Sequence, residues 1–263
     1  MQKKKEDSKS LFQEFYFQIY GSRWIDLRNS LLMDTSPVSL SEALSKPYFM
    51  DKASIIAASC LPVAEGDQVL DMCAAPGGKT LVLALKLNGT GKLVSNDRSA
   101  TRRGRLRTVI SECLAPAMNS NISITGHDSS KWGLYEQEMY DAVLLDAPCS
   151  SERHVITDPH AMDEWSPSRP KHLSIQQYAM LNAAFTALRK GGFILYSTCS
   201  ICPMENQKVV EKLFQRNKDL VEEIPTDSAP MFQGEKLDHG TIILPDVSGG
   251  LGPLYFCLLR KKQ

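Results

Sequence analysis

A chain of 263 residues, 43% hydrophobic and 23% charged, can bury one substantial core and has the composition of an ordinary globular protein. Its 30 basic and 30 acidic side chains balance to zero net charge, with a pI near 6.9; this argues against a protein that coats nucleic acid without specificity, though not against one with a local basic surface. No apolar run approaches the ~20 residues that cross a bilayer, and the opening MQKKKEDSKS has no apolar signal-peptide core, so a cytoplasmic home is expected, with an organelle left open.

Residues 1–65 read as helical. Leu11, Phe12, Phe15 and Ile19 recur at helical spacing, and Trp24, Leu27, Leu31 and Leu32 form a second apolar set. The polar stretch at 34–37 is a hinge, and the whole segment is expected to be a helical cover on a main domain over 66–263. From residue 66 strands and helices alternate. Strands are predicted over 68–73, 92–97, 122–128, 140–146 and 193–199, and helices over 78–86, 99–113, 173–189 and 203–216. In the second helix Leu106, Val109, Ile110 and Cys113 make the stripe of a buried face. Two more strands, over 241–245 and 254–259, are joined by a turn at 249–253. Such alternation gives an α/β fold: seven strands in a mostly parallel sheet with helices on both faces, and one antiparallel strand near the end of the chain. Residues 149–171 carry Pro148, Pro159, Pro167 and Pro170 in or beside them and fit no element. A loop of that length is usually functional, so it is expected to face substrate.

Seven cysteines, at 60, 73, 113, 149, 199, 202 and 257, are an odd number in mostly apolar settings. That suits free thiols better than a disulfide framework. Cys199-x-x-Cys202 has redox or metal spacing, but no second pair follows it, and no metal is expected.

In an open α/β sheet, ligands bind at the carboxyl ends of the strands. Each predicted strand ends there in a chemically capable residue: Asp71 and Cys73, Asp97, Asp128, Asp146 with Cys149, and Cys199. One such Asp alone would be an ordinary helix cap or turn residue, but five in succession at one edge are not. The loop Cys73-Ala74-Ala75-Pro76-Gly77-Gly78-Lys79-Thr80 has the end of a phosphate-binding Walker A loop, but Cys73 stands where its first glycine belongs, and the Gly-x-Gly-x-x-Gly dinucleotide spacing is absent. What remains is a glycine turn before a helix, suited to a carboxylate. Asp97 lies 19 residues after Gly78, the distance at which an acid accepts from ribose hydroxyls. Together these features point to an adenosine-bearing ligand.

DMCAAPGGKT (71–80), DAPCS (146–150) and YSTCS (196–200) resemble motifs I, IV and VI of the Nol/Nop/Sun (NSUN) family of RNA cytosine-C5 methyltransferases, in the family's order and over residues 45–260. The lead-in Pro47-Tyr48-Phe49 and the tail Gly252-Pro253-Leu254-Tyr255-Phe256 are closest to a short branch without an appended RNA-binding module. The resemblance implies a Rossmann-like class I methyltransferase using S-adenosylmethionine. It places Cys73, Ala74, Ala75, Pro76, Gly77, Gly78 and Lys79 on the cofactor, Asp97 on its ribose, Arg102 beside it, Asp128 at adenine, and Asp146 between cofactor and target base. It makes Cys199 the nucleophile and Cys149 the residue that assists product release. Two departures stand out. Asp128-Ser129 replaces the Asp-Gly of many relatives, and the family's N-terminal RNA-contact segment is nearly absent.

The chemistry explains why two thiols are needed. A thiolate adding to C6 of cytosine makes C5 nucleophilic, and a base must later remove the C5 proton so that the thiol can leave. An ordinary thiol is only about 3% ionised at pH 7; the start of a helix at Pro203 is the expected positive pole that raises this. A protonated Asp146, or its hydrogen bond, is expected to stabilise the ring. DNA cytosine-C5 methyltransferases use the Pro-Cys thiol instead and lack Thr-Cys, so Thr198-Cys199 favours RNA.

Arg98, Arg102, Arg103, Arg105 and Arg107 lie within ten residues after the second strand, either as a solvated helix face or as a phosphate-binding stripe. Arg153, Arg169, Lys171 and His172 flank the long loop, where they would hold a flipped nucleotide. The expected substrate is rRNA or tRNA, bound weakly by a monomer and targeted by a partner protein or a ribosomal subunit. A methyltransferase of DNA or of another substrate, a non-catalytic assembly factor on the same fold, and a P-loop nucleotidase are the rival readings.

Overall fold

The computed structural model describes residues 7–226 and 234–263. The chain opens with α1 (Ser8–Tyr20), α2 (Trp24–Leu32), a hairpin of β1 (Val38–Leu40) and β2 (Tyr48–Met50), and α3 (Lys52–Cys60). Next come β3 (Gln68–Asp71), α4 (Gly78–Leu87), β4 (Lys92–Asn96), α5 (Ala100–Cys113), α6 (Pro116–Asn119), β5 (Ile122–Thr125) and β6 (Tyr140–Asp146). Then follow α7 (Glu152–Thr157), α8 (Pro159–Asp163), α9 (Ser168–Ala187), β7 (Leu188–Thr198) and α10 (Gln207–Arg216). Last are β8 (Val221–Ile224), β9 (Glu235–Lys236), β10 (Thr241–Ile243) and β11 (Leu254–Lys261).

All seven expected strands lie in one sheet of order β5-β4-β3-β6-β7-β11-β10-β9, with β8 added on β11. From β5 to β7 the pairing is parallel, and β11 runs antiparallel to β7. Both faces are buried, so side chains alternate between two cores. Val143 and Leu145 of β6, Tyr196 of β7 and Tyr255 of β11 join Phe12, Tyr16, Trp24 and Leu27 of the N-terminal helices on one face. Ala142, Leu144, Leu195 and Phe256 join Ala53 and Ala57 of α3, Leu81 of α4 and Leu106 and Ile110 of α5 on the other. Val109, expected in that buried stripe, is only partly buried.

Three expectations need correction. Residues 1–65 are not all helical: Val38–Leu40 pairs with Tyr48–Met50, since Pro37 and Pro47 flank short extended runs that a helix would reject. The 149–171 segment is not an irregular loop. Asp158 caps α8 by accepting from His160 N and Ala161 N, and Trp165 is buried against Phe12 and Phe15 of α1. Only its first part faces a cleft. Third, the helix expected from Pro203 begins at Gln207, so its amino end is set back from Cys199.

Candidate active site

The chain leaves β3 outward to β4 and β5, then returns to β6 beside β3. At that switch point the loops after neighbouring strands diverge and leave a crevice. A cavity of about 780 Å³ lies here, with Lys79, Arg102, Asp146, Cys149, Ser151 and Cys199 in its wall. Thr35, Asp51 and Ser54 also line it. Sequence reasoning missed these; the signal was Asp51, an N-cap residue that accepts from Ala53 N at the start of α3.

Cys199 follows the last residue of β7 and is exposed, whereas Cys149 is partly buried. Their Sγ atoms are 3.1 Å apart, and Ser151 Oγ lies 3.3 Å from Cys199 Sγ. The hydrogen bond from Cys149 brings the Cys199 thiol down to about 7, against burial, with help from Ser151 and Lys79. The same bond, with burial, pushes Cys149 well above the usual thiol range. One sulfur is therefore tuned as a thiolate and its neighbour as the S–H donor. This stabilisation comes from a thiol, a hydroxyl and an ammonium, not from the helix amino end expected from the sequence.

Asp146 bridges the crevice. Lys79 Nζ donates to its Oδ2 at 2.7 Å and Ser197 Oγ to its Oδ1 at 2.8 Å. Burial would lower the Lys79 pKa, but the carboxylate outweighs it and the ammonium is held. The positive group beside the thiols is thus Lys79, and each Asp146 oxygen accepts one hydrogen bond within the protein. Asp71, fully buried and bonded to Thr80 Oγ1 at 2.7 Å, is raised to about 7 by burial.

The glycine turn is built as its sequence suggested. Gly77 has φ 127°, and a Cβ there would stand 3.0 Å from Val109 Cγ1. A Cβ on Gly78 would meet Tyr48 Cε1 at 2.9 Å, which is why the β1–β2 hairpin matters to this loop. Asp97 is buried at the end of β4. Its Oδ1 accepts from Ser99 N, and Arg102 Nη1 stands 3.2 Å from its Oδ2, but Oδ2 has no hydrogen-bond partner. Arg102 also donates to Ala75 O. Asp128 sits three residues beyond β5, kept below the usual carboxylate range chiefly by the Ser130 hydroxyl. The departure at Ser129 is structural: its hydroxyl donates to Met72 O at 2.7 Å. Asn96, which sequence reasoning passed over, donates to Met72 O, His127 O and Ser129 Oγ and so ties three strand ends together. Cys73 is turned toward Ser129, its thiol raised to about 12 by burial, so its backbone rather than its sulfur is left for a ligand.

The expected RNA-facing residues do not gather into one patch. Arg98, Arg105 and Arg107 are exposed on or just before α5, and Lys171 and His172 on α9. Arg103 Nη1 is bound to the carbonyls of Asp97 and Arg98. Arg153 reaches the cleft but donates to the carbonyls of Leu31, Met33 and Gly252, pinning the N-terminal segment to the tail loop. Arg169 is partly buried.

Residues 58–255 match the family model described as 16S rRNA methyltransferase RsmB/F. The chain belongs to this family, the Sun/NSUN group. It is 34% identical over 243 residues to the 5-cytosine rRNA methyltransferase NSUN4 of Xenopus tropicalis, covering 86% of this chain and 59% of that one. To the ribosomal RNA small subunit methyltransferase F of Escherichia coli O9:H4 (strain HS) it is 38% identical over 210 residues, or 77% and 42% of the two chains. The chain thus spans about half the length of these relatives. Among solved structures, NSun6 from Pyrococcus horikoshii with SFG matches at 25% identity and TM-score 0.71, over 86% of this chain and 57% of that one. A methyltransferase homologue from the same organism matches at 21% identity and TM-score 0.77, over 95% and 94%, and shows the fold.

The fold is that of the class I methyltransferases, and S-adenosylmethionine is the cofactor the RsmB/F family implies. The residues fit it: the buried Asp97 Oδ2 is an acceptor without a hydrogen bond at the strand end where a ribose belongs.

Proposed function

We propose that this chain methylates C5 of cytosine in RNA, rRNA first and tRNA second, through a covalent bond between Cys199 and C6 of the base. The observation that carries the reading is the pair of unequal thiols, 3.1 Å apart at the ends of β6 and β7, with the exposed one tuned as thiolate. The names of the relatives, an NSUN4 and a small subunit methyltransferase F, support ribosomal RNA.

In this reading the motif I loop from Cys73 to Lys79, Asp97, Arg102 and Asp128 hold the cofactor, which when bound supplies a methyl group on a sulfonium. Cys199 adds to C6 and turns C5 into a nucleophile. Asp146, fixed by Lys79 and Ser197, accepts from the amino edge of the base and orients it, while Lys79 balances charge beside the thiolate. Cys149, which donates to Cys199 and stays protonated, orients a water that takes the C5 proton, and Cys199 departs as a thiolate as C5–C6 unsaturation returns. Arg98, Arg103, Arg105, Arg107, Arg169 and Lys171 are the candidates for RNA phosphates; Arg153 serves the cleft wall first. The protein acts in the cytoplasm or an organelle, as a monomer guided by a partner protein or by the ribosomal subunit.

The test uses RNA carrying 5-fluorocytosine. Cys199→Ala is expected to abolish methylation and covalent capture, and Cys149→Ala to accumulate an RNA adduct on unsubstituted cytosine. The reverse pattern would exchange the two roles. Labelling of DNA but not RNA would overturn the substrate.

A further inference from the structure

Behind the two thiols lies a buried carboxyl pair that the chemistry above does not use. Glu152 and Glu205 are both fully buried. Glu205 Oε2 accepts from Ser150 N, next to Cys149, and from Gln177 Nε2, each at 2.9 Å. Glu152 Oε2 accepts from Ile201 N at 3.1 Å, two residues past Cys199, and its Oε1 from Tyr16 Oη at 2.5 Å. Between them stands Ser200 Oγ, 2.8 Å from Glu152 Oε1 and 3.1 Å from Glu205 Oε1. Each acid therefore grips one cysteine loop by its backbone, and Ser200 joins the acids.

Counting protons decides the charge. Ser200 has one hydroxyl proton and can donate to only one of the two carboxyls, while its oxygen already accepts from Cys202 N at 3.0 Å. With both acids ionised, one buried oxygen pair would face the other with no proton between, which low-dielectric surroundings penalise heavily. With one proton on Glu152 Oε1 the set closes. Glu152 donates to Ser200 Oγ, Ser200 donates to Glu205 Oε1, and Tyr16 donates to the remaining lone pair of Glu152 Oε1.

We propose that Glu152, Ser200 and Glu205 form a one-proton staple that positions the two cysteine loops and sets which thiol donates to which. Its single negative charge rests on Glu205, which accepts from the amide next to Cys149, and keeps Cys149 protonated, so that Cys149 remains the S–H donor to Cys199. Burial and the neighbouring Glu205 raise Glu152 to about 8, consistent with the proton resting there. The ionisable groups facing the pair are Tyr16, Tyr20, Cys149, Cys202 and Tyr196. These acids are positioning residues; neither lines the cleft cavity.

The inference rests on the proposed roles of the thiols, but its test needs no RNA. Alkylation of Cys199 by iodoacetamide is followed against pH by mass spectrometry in the full chain, with melting temperature recorded alongside. Glu152→Gln supplies the same neutral donor, so the alkylation midpoint stays where the wild type has it. Glu152→Ala and Glu205→Ala release a loop, and the midpoint rises as the Cys149 contact is lost, slowing alkylation at pH 7 by roughly tenfold. A lower midpoint in Glu152→Gln would mean that both acids were ionised, and would overturn the one-proton state. A fall in melting temperature with unchanged midpoints in all three variants would reduce the pair to packing. If the alanine variants fail to fold, the infrared difference between wild type and Glu152→Gln at neutral pH decides: a protonated-acid carbonyl band that the variant loses supports the staple, and no such loss defeats it. Failure of RNA methylation with these outcomes intact would count against the substrate and not the staple.

Discussion

Cys149 Sγ stands 3.1 Å from Cys199 Sγ, and Ser151 Oγ touches both, at 3.6 Å and 3.3 Å. The contact is asymmetric because, although both sulfurs line the cleft, Cys199 is exposed and Cys149 only partly so. Its consequence is a sign. The folded state lowers the Cys199 pKa to about 7, so the thiolate is present above that pH and is lost as pH falls through it. Replacing Cys149 by Ala removes the donor that leads this shift. The alkylation midpoint of Cys199 is expected near pH 7 in the wild type and toward the ordinary ~8.5 in Cys149→Ala. An unchanged midpoint would show that the S–H···S contact does not control the nucleophile.

A second prediction concerns the acceptor at the end of β4. Asp97 Oδ2 is buried without a hydrogen bond, and a charged acceptor that gains two ribose donors contributes about 1.5–3 kcal/mol. Asp97→Ala should therefore weaken S-adenosylmethionine binding by roughly 10–100-fold. Calorimetry on the purified protein measures it. If the affinity is unchanged, Asp97 is a structural partner of Ser99 and Arg102 and does not hold the ribose.

The glycine turn gives a third. Gly77 has a φ of 127° that L side chains rarely adopt, and its Cβ would stand 3.0 Å from Val109. Gly77→Ala should cost about 1–3 kcal/mol through backbone strain and lose cofactor affinity more than thermal stability, since the loop can shift while the core remains. Paired calorimetry and melting curves separate the two. Gly104, on α5 with open space around its Cβ position, is the control that should gain stability as Ala.

The strand ends were legible in the sequence for a physical reason. Buried strands such as 140–146 and 193–199 carry short apolar runs, 142–145 and 193–196, and the acid or thiol that follows each run marks where the sheet meets solvent. Asp97, Asp146, Cys149 and Cys199 could be placed at one edge on that basis alone. What was not legible depends on contacts distant in sequence. The two-residue pairing of β9 with β10 and the β1–β2 hairpin are too short for periodicity to show. Trp165 lies in a proline-rich stretch whose role is set by α1, more than 140 residues earlier. Glu152 and Glu205 look like surface acids in sequence, and only folding places them on either side of Ser200. Pro203 suggested a helix start at N1, yet Glu205 and Asn206 are held by Ser200 and Thr198, and that turn delays the helix to Gln207.

Trp165 supports the last prediction. Its ring meets Phe12 at 4.9 Å and Phe15 at 5.5 Å, both near edge-on, and is almost fully buried. Removing it leaves a large cavity between α1 and the segment after α8. Trp165→Ala should cost about 3–5 kcal/mol, which for a chain of this size lowers the melting temperature by roughly 6–20 °C. Trp165→Phe keeps an edge-on ring and should lose much less. Because α1 also carries Tyr16, whose hydroxyl donates to Glu152, loosening α1 should disturb the thiols from a distance: Trp165→Ala, assayed well below its melting point, should show a raised alkylation midpoint for Cys199. A stability loss with that midpoint unmoved would mean that the aromatic anchor and the two-thiol site are mechanically independent.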